Sequence, residues 1–244
     1  MPIAIVGDPR EGVSLRVGDT LFLKQSTQGV LPEDLKEKLE DHVIWLNYML
    51  PQLVGDTYIG YAAGAIYAVN SLGPNLPSTT VLDLGAGEGT LSLVALKQGA
   101  KQAYLVDNEI TLLTQASTNG ILNGVGNKVQ TICADLTDEL EIQRRTPLDE
   151  VDVVIANIGP HETYGGQEGV VKSAVNLLRL TPKARYVVFG GFGPFDSDLS
   201  YLPTMKNFEK LGFVKNISVA QITALVDELQ VYTQQICIIA EREI

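Results

Sequence analysis

Residues 81–93 read Val-Leu-Asp-Leu-Gly-Ala-Gly-Glu-Gly-Thr-Leu-Ser-Leu, an apolar run that leads through a glycine-rich loop into a second apolar run. This pattern predicts a buried strand, a tight turn and the start of a helix. Gly85, Gly87 and Gly89 would let the backbone turn sharply and approach a ligand closely, because a Cβ atom would collide there. The loop is therefore a candidate ligand-binding turn.

The glycine spacing distinguishes this loop from a dinucleotide-binding turn. A dinucleotide site spaces its glycines as G-x-G-x-x-G to seat a pyrophosphate. Here the spacing is G-x-G-x-G, and Asp83 stands just before it. Since a carboxylate repels a pyrophosphate, the loop is better suited to a ligand that carries an ammonium group and no phosphate.

From the loop outward, strand-like and helix-like stretches alternate, which predicts a doubly wound α/β sheet. The predicted strands are Thr80 to Leu84, Gln102 to Val106, Lys128 to Cys133, Val151 to Asn157 and Arg185 to Gly190. The predicted helices are Thr90 to Gln98, Ile110 to Asn123, Gly169 to Leu180 and Leu202 to Leu211. The last two runs, 213–219 and 229–240, follow each other without a crossover helix, so we expect them to pair antiparallel.

The first 75 residues have a different character, and the linker 73–78 separates them from the α/β pattern. We interpret 1–75 as a small N-terminal extension that serves as a lid or a dimer contact, and 76–244 as the ligand-binding domain. The elements predicted in the extension are a β-hairpin of Val13–Val17 and Thr20–Lys24, a helix from Pro32 to Met49, and a helix from Gly60 to Ser71.

Asp107 ends the second predicted strand of the α/β pattern, 20 residues after Gly87. An acidic residue at this place can accept hydrogen bonds from both hydroxyls of a ribose. The alternative is that Asp107 is an ordinary N-cap of the following helix. In combination with the glycine loop, we favour the ribose role.

Asp135 and Leu136 follow the third strand of the same pattern. Asp135 could accept a hydrogen bond from an adenine amino group, with the amide of Leu136 facing a ring nitrogen. Alternatively, Asp135 caps a turn together with Thr137 and Asp138. We favour the adenine role.

The fourth strand ends in Asn157-Ile-Gly-Pro-His161-Glu162. In open α/β sheets the carboxyl ends of the strands face the ligand crevice. The side-chain carbonyl of Asn157 can accept a hydrogen bond from a nucleophilic amine. His161 could act as a base near neutral pH, or it could be a solvent-facing loop histidine. Glu162 is a weaker candidate for the same proton transfer.

The charge of the chain restricts its partners. The formal net charge is -11, and the pI is about 4.6. Phosphate backbones repel so acidic a chain, which argues against nucleic acid as a partner. Arg144-Arg145 is the densest basic pair, and we interpret it as part of a solvated loop. A homodimer remains an open expectation.

The two cysteines, Cys133 and Cys237, lie in apolar strand-like runs, where we expect buried free thiols and no metal site. The amino-terminal residues do not have the pattern of a signal peptide. We see no apolar run of the ~18 residues that a membrane span requires. The sequence therefore predicts a cytoplasmic protein without a membrane segment.

Four of these motifs occur in the order that is typical of class I S-adenosylmethionine-dependent methyltransferases, and the sequence resembles that superfamily over about residues 78–240. Within the superfamily the chain looks most like the ribosomal-protein lysine methyltransferases. The stretches that carry this likeness are Val81–Gly87, Ala95–Lys101, Asn119–Gly124 and Val153–Ile158. The resemblance implies a Rossmann-like seven-stranded sheet with the last strand antiparallel, and S-adenosylmethionine as the cofactor. This cofactor has an ammonium group and no phosphate.

The resemblance also implies roles for individual residues. Asn157 would lie beside the transferred methyl group. Our own hypothesis for the mechanism is that Asn157 orients the acceptor and that His161 or Glu162 removes a proton. Tyr58 and Tyr61 would cover the methyl donor, since aromatic faces attract a sulfonium as they attract other cations. The residues expected around the cofactor are Asp83, Gly85, Gly87, Asp107, Asn108, Asp135 and Leu136.

The acceptor is left open between a nitrogen or oxygen of a protein side chain and a small molecule. Two other functions compete with methyl transfer. One is a nicotinamide-dependent oxidoreductase, which the glycine spacing and Asp83 oppose. The other is a catalytically silent protein that binds S-adenosylmethionine and acts as a partner.

Overall fold

A computed structural model of the chain describes residues 3–6, 14–17, 20–24, 43–46, 65–66, 68–157, 167–192, 206, 208–226 and 231–242. Its strands form two sheets. The smaller sheet has the order β1-β2-β3-β4. Its strands are β1 (Ile3–Val6), β2 (Ser14–Val17), β3 (Thr20–Lys24) and β4 (Val43–Leu46).

The predicted hairpin is confirmed, because β2 and β3 pair antiparallel around the predicted turn. The helix predicted from Pro32 to Met49 is wrong at 43–46, which form β4 parallel to β3. That segment reads Val-Ile-Trp-Leu, a continuous apolar run rich in residues that favour strands. The rest of that helix lies outside the described residues. Of the helix predicted from Gly60 to Ser71, residues 65–66 and 68–71 are described and are helical.

The larger sheet has seven strands in the order β10-β11-β9-β8-β5-β6-β7. Six strands share one direction, and β11 runs antiparallel to both of its neighbours. The predicted antiparallel last strand is therefore confirmed. The strands are β5 (Thr80–Leu84), β6 (Gln102–Asp107), β7 (Val129–Cys133), β8 (Val153–Asn157), β9 (Tyr186–Phe192), β10 (Phe213–Val226) and β11 (Val231–Arg242).

Among the described residues, helices α1 (Thr90–Lys97), α2 (Ile110–Leu122), α3 (Glu139–Arg145) and α4 (Gln167–Arg179) lie between strands of the larger sheet. Of the helix predicted from Leu202 to Leu211, residues 206 and 208–210 are described and helical. Helices α1, α2 and α4 follow the prediction closely, whereas α3 was not predicted. Arg144 and Arg145 lie in the last turn of α3, so their interpretation as a loop is wrong. Both are exposed, and both lie within salt-bridge distance of Glu141.

Strand β5 is buried along its whole length and divides the interior into two cores. Val81 packs with α1 and α2 on one face, and Leu82 and Leu84 pack on the other face. Successive side chains of a strand point to opposite faces. Asp83 therefore points to the same face as Val81, toward helix α1.

Cys133 is exposed, contrary to the prediction of a buried thiol. It is the last residue of β7, which is an edge strand of the sheet. An apolar run in an edge strand is covered less completely than one in the centre, and this explains the error. The side chain of Cys237 lies outside the described part of the structure.

Candidate functional site

The carboxyl ends of four neighbouring parallel strands, β8, β5, β6 and β7, lie at one edge of the larger sheet. The loop 85–89 follows β5, and Asp107 ends β6. Asp135 comes two residues after β7, and Asn157 ends β8. The fold thus brings all of these predicted positions to the edge where open α/β sheets bind their ligands.

The glycine loop is fixed mainly by strand β6. Gly85, Gly87 and Gly89 have φ angles of 70°, 54° and 81°, which favour glycine. The amides of Gly85 and Ala86 both donate to the carbonyl oxygen of Val106, at 2.8 and 3.0 Å. The amide of Gly89 donates to the carbonyl of Ala86 at 2.9 Å. These backbone hydrogen bonds set the shape of the loop.

Asp83 is the most deeply buried acidic group of the site, at 1% exposed. Ser92 Oγ donates to its Oδ2 at 2.6 Å, while Oδ1 is buried without a hydrogen-bond partner among the described residues. Burial raises the pKa of Asp83 to about 7, the bond from Ser92 opposes this rise, and the charge of Asp107 adds to it. A buried acceptor without a donor is costly, so this oxygen is suited to a cationic donor.

Asp107 joins the loop to the start of helix α2. Its Oδ2 accepts from the amide of Gly87 and its Oδ1 accepts from the amide of Glu109, both at 2.9 Å. Glu109 is the N-cap of α2, so the alternative reading of Asp107 as that N-cap is wrong. Because each carboxylate oxygen can accept more than one hydrogen bond, the ribose role stays a prediction.

Asp135 caps a turn through Thr137, as the alternative to the adenine contact predicted. The amide and the hydroxyl of Thr137 donate to its Oδ1 at 2.8 and 2.6 Å, and these bonds hold its pKa below the usual value. Both bonds fall on the same oxygen, so the predicted adenine contact would be made by Oδ2. The side chain of Leu136 beside it is buried.

The remaining predicted residues are described only in part. Asn108 is exposed directly after β6, and Asn157 is half-buried and pairs in register with Gly190 of β9. Their predicted roles are compatible with these positions and stay predictions. Four candidates lie outside the described residues: Tyr58, Tyr61, His161 and Glu162.

Two residues of the site were missed by the sequence analysis. Glu88 is half-buried within the loop, and burial raises its pKa to about 7. A hydrogen bond from the Thr90 side chain lowers that pKa, but by less than burial raises it. Asn119 is 1% exposed in helix α2, and its Nδ2 donates to the carbonyl of Glu88 at 3.1 Å. The signal for Asn119 was a polar residue at a buried position of an amphipathic helix, which requires a hydrogen-bond partner.

Within the described ranges, no group of three or more His, Cys, Asp or Glu side chains could hold a metal ion. Among the same residues, no helix is long and apolar enough to cross a membrane.

Comparison with known proteins points to one superfamily. A family model described as ribosomal protein L11 methyltransferase (PrmA) matches residues 63–160, which include the glycine loop, Asp107 and Asn157. A protein named ribosomal protein L11 methyltransferase from Agathobacter rectalis is 30% identical over 151 residues, covering 59% of this chain and 43% of that protein. One of the same name from Haemophilus ducreyi is 37% identical over 122 residues, covering 49% and 36%.

Over residues 63–160 the chain matches the class I S-adenosylmethionine-dependent methyltransferase superfamily. Its matches span less than half the length of these curated relatives. Among solved structures, the chain is similar in fold to a ribosomal protein L11 methylase from Lactobacillus delbrueckii, with a TM-score of 0.58, 16% identity and 100% of both chains covered. It is also similar to the magnesium protoporphyrin IX methyltransferase of Synechocystis, with a TM-score of 0.53, 19% identity and 81% and 86% covered. The predicted Rossmann-like α/β fold is confirmed.

Proposed function

We propose that this chain binds S-adenosylmethionine at the loop 85–89 and transfers its methyl group to a protein side chain. The observation that carries the proposal is the buried Oδ1 of Asp83, which has no donor among the described residues. Asp83 lies directly before the glycine loop. A ligand ammonium would supply that donor. The names of the matching relatives, ribosomal protein L11 methyltransferases, support a protein as the acceptor.

The described residues fit the parts of this cofactor. Asp83 would receive the ammonium and Asp107 the ribose hydroxyls. Asp135 Oδ2, the amide of Leu136 and the exposed Asn108 would hold the adenine. No described heavy atom lies within 4 Å of the position that a Cβ of Gly87 would take, so the loop has open space where a ligand can approach.

When bound, S-adenosylmethionine supplies a methyl group that its sulfonium already activates. The residues of the chain then mainly have to align the nucleophile, and such positioning can supply much of the rate. We propose that Asn157 orients the acceptor amine through its side-chain carbonyl. In this proposal His161 or Glu162 accepts the proton of the amine, and Tyr58 and Tyr61 cover the donor. The extension 1–75 would cover the acceptor or form a dimer contact.

Calorimetry tests the cofactor. We expect the chain to bind S-adenosylmethionine and not a nicotinamide dinucleotide. Nicotinamide binding without S-adenosylmethionine binding would show an oxidoreductase. Transfer is tested with methyl-labelled cofactor and purified ribosomal protein L11, where labelled L11 is the expected product. Labelling of only small molecules would overturn the protein acceptor, and cofactor binding without any transfer would show a silent partner.

Substituting Asn157 by alanine tests the orienting role. Loss of a positioning contact should lower kcat by about a hundredfold, while the Kd for S-adenosylmethionine stays within about twofold. Asn176 of α4, which donates to Glu139 away from the site, provides the matched control. Asn176→Ala should keep the kcat of the unmodified chain. If Asn157→Ala leaves both kcat and Kd unchanged, the orienting role is wrong.

A further inference from the structure

Helix α2 packs directly beneath the glycine loop. The contact is close at Gly89, where a Cβ would come within 3.0 Å of the Cβ of Ala116. Asn119 lies three residues further along α2 and therefore on the same face of the helix. At 1% exposed, its side chain is removed from solvent as completely as that of a core residue.

The peptide between Glu88 and Gly89 is held on both sides. Its carbonyl oxygen accepts from Asn119 Nδ2 at 3.1 Å, and its N–H donates to the carbonyl of Ala86 at 2.9 Å. Since a peptide unit is planar, two bonds on opposite sides fix its orientation. Without such bonds this peptide would rotate easily, because glycine stands on both sides of Glu88 and glycine tolerates many backbone angles.

Strand β6 and the helix α2 that follows it, here called the β6–α2 unit, bind the adjacent loop residues Gly87 and Glu88. Asp107, at the end of β6, accepts from the amide of Gly87, and Asn119, late in α2, donates to the carbonyl of Glu88. The loop follows β5, yet these contacts come from the next strand and the next helix. The shape that the loop presents at the sheet edge therefore depends on the β6–α2 unit.

We propose that Asn119 is a positioning residue of the methyl-donor site, which fixes the Glu88–Gly89 peptide and so holds the glycine loop in the shape that receives S-adenosylmethionine. The inference rests on the proposed function for the identity of the ligand. The contact itself does not depend on any ligand. Asparagine is an unfavourable residue for a helix interior and costly to bury, and the bond to the loop offsets that cost.

The test compares Asn119→Leu and Asn119→Asp with the unmodified chain. Leucine has a similar size and no donor. Aspartate keeps the shape, and its ionised carboxylate offers only acceptors to the carbonyl of Glu88. We expect the Kd and the KM for S-adenosylmethionine to rise about tenfold in both variants, as the loss of one hydrogen bond to a buried group implies. At saturating cofactor, kcat should stay within about twofold.

Asn123 provides the matched control. It directly follows α2 as its C-cap, it is 9% exposed, and its side-chain amide donates to the backbone carbonyl of Asn119. Asn123→Ala should lower the Tm and leave the Kd for S-adenosylmethionine unchanged. Equal changes in Kd for Asn123→Ala and Asn119→Leu would reduce Asn119 to a general structural residue and overturn the proposal.

Amide hydrogen exchange gives a readout that requires no ligand. The amides of Gly87 and Gly89 should exchange about tenfold faster in Asn119→Asp, while the amide of Leu113 in α2 keeps its rate. Unchanged loop exchange would overturn the proposal for Asn119. If the unmodified chain fails to bind S-adenosylmethionine, the proposed function fails, and the exchange rates still decide whether Asn119 holds the loop.

Discussion

Replacing Asp83 by asparagine is expected to weaken S-adenosylmethionine binding by about a hundredfold, because a buried charge-assisted hydrogen bond to the ligand ammonium is lost. Asparagine preserves the size of the side chain, so the packing against Ser92 and α1 should remain. Isothermal titration at pH 7.5 measures the effect. Asp152→Asn is the matched control, since its carboxylate accepts from the amide of Thr80 at the other end of β5. An Asp83→Asn variant that binds as tightly as the unmodified chain would contradict the ammonium role.

The same variant should alter how stability depends on pH. Burial raises the pKa of Asp83 from 3.8 to about 7 in the folded, ligand-free chain. Between these values the folded state holds a proton that the unfolded state releases, so the free energy of unfolding falls as pH rises. The full fall is about 4 kcal/mol at about 1.4 kcal/mol for each pKa unit. Asp83→Asn removes this contribution and should gain stability relative to the unmodified chain from pH 5 to pH 8.

Denaturant titrations of both ligand-free proteins at several pH values measure that difference. Burial also raises the pKa of Glu88 to about 7, but this group is present in both proteins, and its effect largely cancels in the comparison. Parallel stability curves over this range would show that Asp83 does not carry the raised pKa. The ligand acts in the opposite direction, because an ammonium stabilises the carboxylate. Cofactor affinity should therefore fall as pH drops below 7 in the unmodified chain.

Alanine at Gly87 should mainly lower the affinity for S-adenosylmethionine, whereas alanine at Gly89 should mainly lower the stability of the fold. Both glycines have left-handed φ angles, of 54° and 81°, which cost alanine about 1–2 kcal/mol each. At Gly87 the new methyl group meets no described heavy atom within 4 Å, so the fold should tolerate it. The methyl group would occupy the space in front of the loop. We expect Gly87→Ala to lower the affinity for S-adenosylmethionine at least tenfold, with a loss of stability of only the backbone cost of about 1–2 kcal/mol.

At Gly89 a Cβ would lie 2.9 Å from Leu105 Cδ2 and 3.0 Å from the Cβ of Ala116. Overpacking of this kind adds about 1–3 kcal/mol to the backbone strain. Gly89→Ala should therefore destabilise the fold by about 2–5 kcal/mol, which denaturant titration would detect. Normal cofactor affinity in Gly87→Ala, or equal stability losses in the two variants, would contradict this distinction.

Strands β5 and β8 of the larger sheet could be predicted from sequence because they are buried on both faces. Strand β5, for example, was predicted at its observed bounds, since every residue of Thr80–Leu84 except Asp83 is apolar or β-branched. Helix α3 could not be found in this way. It has seven residues, of which only Ile142 is buried, and a single apolar residue gives no helical period.

Long-range contacts set the other limits. The run Val43–Leu46 becomes a strand by pairing with β3, about 20 residues earlier in the chain, and no local pattern encodes that partner. At the site, the positions of Asp83, Asp107 and Asn157 at one sheet edge followed from the rule for parallel strands. Two contacts at the site could not be predicted: Asp107 accepts from the amide of Gly87, and Asn119 donates to the carbonyl of Glu88. Both depend on how the β6–α2 unit packs against the loop.

Among the described strands, β10 has one neighbour, β11, which is synthesised after it. During translation β10 has no place in the sheet until 231–242 have left the ribosome. Strands β10 and β11 are joined by only four residues, so we expect them to dock on β9 together, as a late hairpin. Until then β9 is an open edge that can pair with other chains. Aggregation during synthesis is therefore expected to be sensitive to substitutions that slow formation of this hairpin.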